Sequence, residues 1–206
     1  MKKLDTTYDF VGVIDFLPVQ DRESWRLSQR LVSYLAKQGI DQKGRMCDSR
    51  KEFAEALLGL VAVSRRGMKF LLHFVGHGAP DGLAMPDGKM ASWRYISGFL
   101  QKFDPNTISQ CVLNMTCCWG IHGVKMAEHL NPDGRFFGII GPAVPIHPRE
   151  GYKINTKVYK KMIVRTPINQ VIREVNQEFG KNLLFGITSG GYMVLKAAKW
   201  REVFED

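Results

Sequence analysis

Two segments of this sequence carry side chains able to do covalent chemistry. His77 stands between glycines in Gly76-His77-Gly78, and Cys117-Cys118 precede Trp119-Gly120. A cysteine becomes a useful nucleophile at neutral pH when a helix N-terminus or a nearby imidazolium lowers its pKa, and the histidine can then protonate a leaving group. Glycine after the histidine leaves a backbone N–H uncovered, which suits Gly78 to an oxyanion donor. Acyl transfer through a thioester is the chemistry such a set would perform. His73 lies four residues before His77, a spacing that on a helix would make a zinc pair. The flanking glycines and the β-rich surroundings argue against a helix there, so His73 is expected to pack within a strand. His122, His129 and His147 have no supporting spacing and read as surface or satisfied core residues. Neither a metal nor a cofactor is expected.

The elements that must position these groups follow from periodicity. Tyr8 to Phe16 is a near-continuous apolar run, the pattern of a strand buried on both faces. Leu27, Leu31, Tyr34 and Leu35 place one helix over Asp21 to Gln38, with Gly39 where a C-terminal cap belongs. Ser49 to Glu52 reads as a capping box opening a second helix, with Phe53, Leu57, Leu60 and Val61 on one face. Lys69 to Val75 is a buried strand that delivers His77, and Pro86-Asp87-Gly88 marks a hairpin just beyond it. Ser92 caps a helix with Ile96, Phe99, Leu100 and Phe103 inward. Cys111 to Met115 is a third buried strand, delivering Cys117 and Cys118 into a helical stretch closed by Asn131-Pro132. Arg135 to Ile140 is a fourth strand. Thr166 and Pro167 supply the cap and first position of a helix that Gly180 ends, and Leu183–Thr188 with Tyr192–Leu195 suggest a terminal hairpin. Strands alternating with helices imply a three-layer α/β/α sandwich around a mostly parallel sheet. In such sheets reactive groups collect at the carboxyl ends of the strands, where both His77 and the cysteine pair fall. Neighbouring strands lie about 4.8 Å apart, close enough for both to act on one carbonyl.

Composition sets the outer bounds. The 206 residues fit one domain, spanning 1–206, with 45% apolar and 24% charged residues, which excludes a mostly disordered chain. No apolar run is long enough to cross a bilayer and the N-terminus lacks a secretory pattern, so no membrane partner is expected and the expected compartment is the cytoplasm. Cysteines at 47, 111, 117 and 118 do not resemble a secreted disulfide framework. The net charge of +9 is scattered over several helix faces, which makes nucleic acid the weaker expectation for a partner.

The residues resemble the caspase-like clan of cysteine proteases, which includes caspases, legumains, separases and bacterial CHAT-type proteases. Members carry an apolar strand ending in His-Gly and, one strand later, an apolar strand ending in a small residue and the nucleophilic cysteine. Phe70-Leu71-Leu72-His73-Phe74-Val75-Gly76-His77-Gly78 fits the first half, and Val112-Leu113-Asn114-Met115-Thr116-Cys117-Cys118-Trp119-Gly120 the second. Thr116 to Gly120 approaches the caspase Q-A-C-[RQG]-G signature with His77 41 residues before Cys118, although Trp119 departs from it. His77-Gly78-Ala79-Pro80 is similar to the legumain segment, and Phe136 through the helix around Tyr159 is similar to the CHAT-type layout. The resemblance covers roughly residues 8 to 195.

What the resemblance implies is a caspase-like α/β/α fold and a metal-independent cysteine endopeptidase making limited cleavages in protein or peptide substrates. It also implies a setting in bacterial antiviral defence or cell death. His77 and Cys118 would be the catalytic dyad, with Gly78 and Cys118 N–H groups holding the oxyanion and no third triad member evident. Relatives keep a large apolar residue three positions before the nucleophile and a small one directly before it. Met115 and Cys117 meet those conditions for Cys118, whereas relatives with glycine three places after the nucleophile would favour Cys117. Asp15 and Arg22 lie where relatives place primary-pocket residues; the plainer reading is a helix cap or surface charge. Trp119 either lines a cleft or covers the core. Two other classes stay open: a catalytically silent adaptor of the same fold, and a basic nucleic-acid-associated module with structural cysteines. A regulatory protein partner also stays open.

Overall fold

The computed structural model describes residues 8–163, 166–180 and 182–198. In chain order the elements are β1 (Phe10–Asp15), α1 (Val19–Trp25), α2 (Leu27–Lys37), β2 (Gln42–Met46), α3 (Arg50–Ser64), β3 (Phe70–Val75) and three short strands, β4 (His77–Ala79), β5 (Gly82–Ala84) and β6 (Met90–Ser92). They continue with α4 (Trp93–Leu100), the single turn α5 (Pro105–Ile108), β7 (Val112–Met115), a 3₁₀ segment Gly120–His129, β8 (Gly138–Gly141), α6 (Pro148–Ile163), α7 (Ile168–Phe179), β9 (Phe185–Thr188) and α8 (Ser189–Ala197). No helix among them is long and apolar enough to cross a membrane.

The central sheet has the order β2-β1-β3-β7-β8-β9, parallel throughout except that β9 runs antiparallel to β8. Its inner strands bury both faces. On β3, Phe70, Leu72 and Phe74 join a core cluster under α3 and α4, while Leu71 and Val75 join the cluster under α2, α6 and α7. Side chains of a strand alternate between faces, so His73 shares the second face with Leu71 and Val75, as does Asn114 on the neighbouring β7. This is the three-layer arrangement expected from the alternation of apolar runs and amphipathic segments. The small sheet β4-β5-β6 is antiparallel and extends beyond the end of β3, with the Pro86-Asp87-Gly88 turn joining β5 and β6 and Gly88 at φ 75°.

Several local readings hold. Ser49 accepts a hydrogen bond from the Glu52 N–H, while the Glu52 carboxylate accepts from the Asp48 N–H at 2.7 Å, one residue before the partner a capping box would use. Gly180 ends α7 in the left-handed conformation. Others need correction. The helix expected over Asp21–Gln38 is two helices, broken where Arg26 takes a left-handed φ of 51°. The cap of α7 is Pro167 rather than Thr166, which shifts its start by one residue. The expected terminal hairpin is β9 followed by α8, because Thr188 accepts from the Gly191 N–H and starts a helix at Ser189. β2 escaped the apolar-run criterion because it is a largely exposed edge strand.

Candidate active site

Both reactive segments sit at carboxyl ends of adjacent parallel strands, β3 and β7. Past β3, Gly76 separates the strand from His77, the first residue of β4. Past β7, Thr116, Cys117 and Cys118 lead into a turn in which Trp119 holds a left-handed φ of 60° and Gly120 opens the 3₁₀ segment. Gly120 is packed so tightly that a Cβ there would stand 1.9 Å from the Met115 carbonyl oxygen, so the turn after the cysteines closes only around glycine.

The two segments touch through backbone. A Cβ at Gly78 would stand 2.1 Å from the Cys118 carbonyl oxygen and 2.8 Å from Cys117 Sγ. Only glycine allows the histidine strand to lie this close to the cysteine turn. His77, Cys117 and Cys118 line one cavity of about 130 Å³, together with Trp25, Thr116, Ile146, Tyr152 and Asn155. Of the two cysteines, Cys117 is buried and burial pushes its thiol up to about 12, so it stays protonated at neutral pH. Cys118 is partly exposed, its Sγ 3.8 Å from the Ile146 carbonyl oxygen. All four cysteines are free thiols, with Cys47 and Cys111 in the core.

Sequence reasoning missed one group at the site. Asp21, in the first turn of α1, places Oδ2 2.8 Å from His77 Nε2, and the Trp25 ring meets the imidazole edge-on at a centroid distance of 5.8 Å. A carboxylate at Nε2 favours the tautomer with its hydrogen on that nitrogen and leaves Nδ1 of the neutral ring with a free lone pair. The only signal available beforehand was an acidic residue in a predicted first turn, which ordinarily means a favourable helix-dipole charge.

The remaining candidates fall elsewhere. Asp15 and Arg22 do not line the cavity and are neither cap nor surface charge. Asp15 is buried, accepting from the Leu17 N–H and the Ser28 hydroxyl, while Arg22 donates to the carbonyls of Leu17 and Cys47 and pairs with Asp48 at 2.8 Å. Together they tie the loop after β1 to the end of β2. His73 is fully buried in β3, as expected, and burial lowers its pKa to about 3. Trp119 stacks edge-on against His122, and His147 Nδ1 accepts from the Arg149 N–H at the start of α6. Among the described residues no group of three or more His, Cys, Asp or Glu side chains is placed to hold a metal ion.

No family model matches the sequence, and no curated protein matches it closely enough to count. Solved structures do. The crystal structure of drICE, a caspase, superposes with a TM-score of 0.56 at 12% sequence identity, covering 91% of this chain and 92% of that one. The fold is caspase-like. At this identity the similarity speaks for the architecture, in which a mostly parallel six-stranded sheet is flanked by helices on both faces. That architecture brings the ends of β3 and β7 side by side.

Proposed function

We propose that this chain is a cysteine endopeptidase in which Cys118 is the nucleophile and His77 the general acid and base. The observation that carries the reading is the contact between the two strand ends: His77 and Cys118 line one cavity, and Gly78 packs against the Cys118 backbone. Asp21 adds support, because an imidazole held by a carboxylate at 2.8 Å is oriented for proton transfer. His77 Nδ1 takes the Cys118 proton, and the thiolate attacks the scissile carbonyl carbon while the carbonyl electron pair moves onto oxygen. The oxyanion accepts from the N–H groups of Gly78 and Cys118. Collapse breaks the C–N bond, with the imidazolium protonating the leaving amine. Water, deprotonated by His77, then attacks the thioester, releasing the acid and restoring the thiol.

Cleavage of few rather than many targets, a cytoplasmic setting and a place in bacterial defence or cell death rest on the resemblance of the two motifs to caspase-like and CHAT-type proteases. The free thiols support a reducing compartment. The direct test is a peptide-library cleavage assay on the purified chain with and without a thiol alkylator. Turnover abolished by alkylation and retained in a strong chelator supports the reading, and turnover lost in chelator but restored by zinc contradicts it.

A further inference from the structure

The cavity beside the dyad has a chemistry of its own, and the inference drawn from it rests on the peptidase reading. Among the described residues no Asp, Glu, Lys or Arg lines it. Apolar walls come from Leu17, Leu31 and Ile146, and the Asp21 carboxylate is already engaged by His77 Nε2, so a charged side chain entering it would leave water without a counter-ion on the cavity wall. Its volume of about 130 Å³ compares with the ~10–15 Å³ that one water needs on the same measure, which leaves room for a side chain.

The cavity's inner lining is polar. His73 and Asn114 are paired residues of β3 and β7, on the face covered by α6. The Tyr159 hydroxyl lies 2.9 Å from His73 Nδ1. That bond forms with either tautomer of the ring, so His73 Nε2 is a donor when Nδ1 accepts from the hydroxyl and an acceptor when Nδ1 donates to it. Among the described residues that Nε2 is buried with no hydrogen-bond partner, in a residue that lines the cavity. Beside it, Asn155 Oδ1 accepts from Asn114 Nδ2 at 3.2 Å and faces the Thr116 hydroxyl at 2.7 Å, which leaves the Asn155 amide N–H groups as further donors. A buried polar nitrogen without a partner is a cost that an incoming amide removes, through its carbonyl oxygen or its N–H. Burial also keeps His73 neutral, with its pKa lowered to about 3, so it presents no positive charge.

We propose that this cavity receives the side chain on the acyl side of the scissile bond and selects an uncharged amide, asparagine or glutamine, whose carbonyl oxygen or NH2 group meets His73 Nε2 as acceptor or donor beside the Asn155 amide. A carboxylate or an ammonium is disfavoured because the few neutral polar groups there do not replace its hydration shell. An aliphatic side chain fits the walls but leaves His73 Nε2 unpaired.

The test separates pocket from chemistry by using the Cys118→Ala chain and the peptides acetyl-Ala-Ala-Ala-X-amide, with binding followed by Trp25 fluorescence and calorimetry. With X as Asn or Gln, binding should be about tenfold tighter than with Asp, Lys or Leu. His73→Asn, which keeps a polar group facing Tyr159 and removes Nε2, should erase most of that preference. Asn155→Leu serves the same purpose should the His73 variant not fold. Equal or tighter binding of Asp or Lys, no binding of the Asn and Gln peptides, or a preference that survives both substitutions would overturn the proposal. If the Asn peptide binds Cys118→Ala selectively but an electrophile built on it forms no adduct with the unmodified chain, the pocket stands and the peptidase reading falls.

Discussion

Asp21 converts His77 from an exposed imidazole into an oriented one, and the consequence is measurable. Asp21→Asn preserves shape but no longer fixes the Nε2–H tautomer, so turnover should fall by about 10²-fold with little change in substrate affinity. Full activity in that variant would reduce Asp21 to a helix-dipole charge. His77→Ala should abolish turnover while thermal unfolding shifts little, because the side chain is half exposed and lies in a glycine-flanked strand of three residues. His77 and the cysteine pair were legible in the sequence because each follows a buried apolar run and is flanked by glycine. Asp21 was not, since it lies 56 residues before His77 and nothing in its local sequence separates it from an ordinary first-turn acid. Asp15 and Arg22 stand out in the sequence only by position, and their side chains satisfy a buried N–H and carbonyls of neighbouring loops.

At the scale of elements, the site depends on how closely β4 lies against the turn after β7. Gly78→Ala places a methyl carbon 2.1 Å from the Cys118 carbonyl oxygen, so either the strand or the turn must move. We expect a loss of about 1–3 kcal/mol in stability and of turnover by at least an order of magnitude, read by denaturant unfolding and kinetics on the same preparation. Arg26 offers the opposite case. It holds a left-handed backbone between α1 and α2 with no side-chain cap, a conformation costing an L-residue roughly 1–2 kcal/mol. Arg26→Gly should raise the melting temperature by a few degrees, partly offset by the greater freedom of the unfolded chain. Periodicity predicted one continuous helix across this break because Leu27, Leu31 and Leu35 keep their spacing on α2 whether or not α1 continues it. The terminal hairpin failed for a related reason: Ser189-Gly190-Gly191 carries turn chemistry, yet the Thr188 hydroxyl caps the Gly191 N–H and turns the segment into α8. Edge strand β2 lacked the apolar run of its neighbours because it needs none.

For the whole molecule, the buried strands and amphipathic helices made the layered sheet readable, whereas strand order and the antiparallel β9 depend on contacts no local pattern encodes. The buried network centred on His73 also gives the fold a pH dependence. Burial lowers the His73 pKa from 6.5 to about 3, so between those values the unfolded chain binds a proton that the folded chain does not. Its contribution is complete above about pH 6.5 and declines as pH falls through that window, by at most ~1.4 kcal/mol per pH unit. Urea unfolding of His73→Asn across the same range should show a flatter profile; an unchanged slope would assign the dependence to carboxylates instead. The central claim, that Cys118 is a nucleophile activated by His77, is tested most directly by intact-protein mass spectrometry after incubation with a peptide electrophile. A single adduct should form on the unmodified chain and on Cys117→Ala, be absent from Cys118→Ala, and form far more slowly on His77→Ala. An adduct retained on Cys118→Ala but lost from Cys117→Ala, or labelling of Cys118 at a rate indifferent to His77, would contradict it.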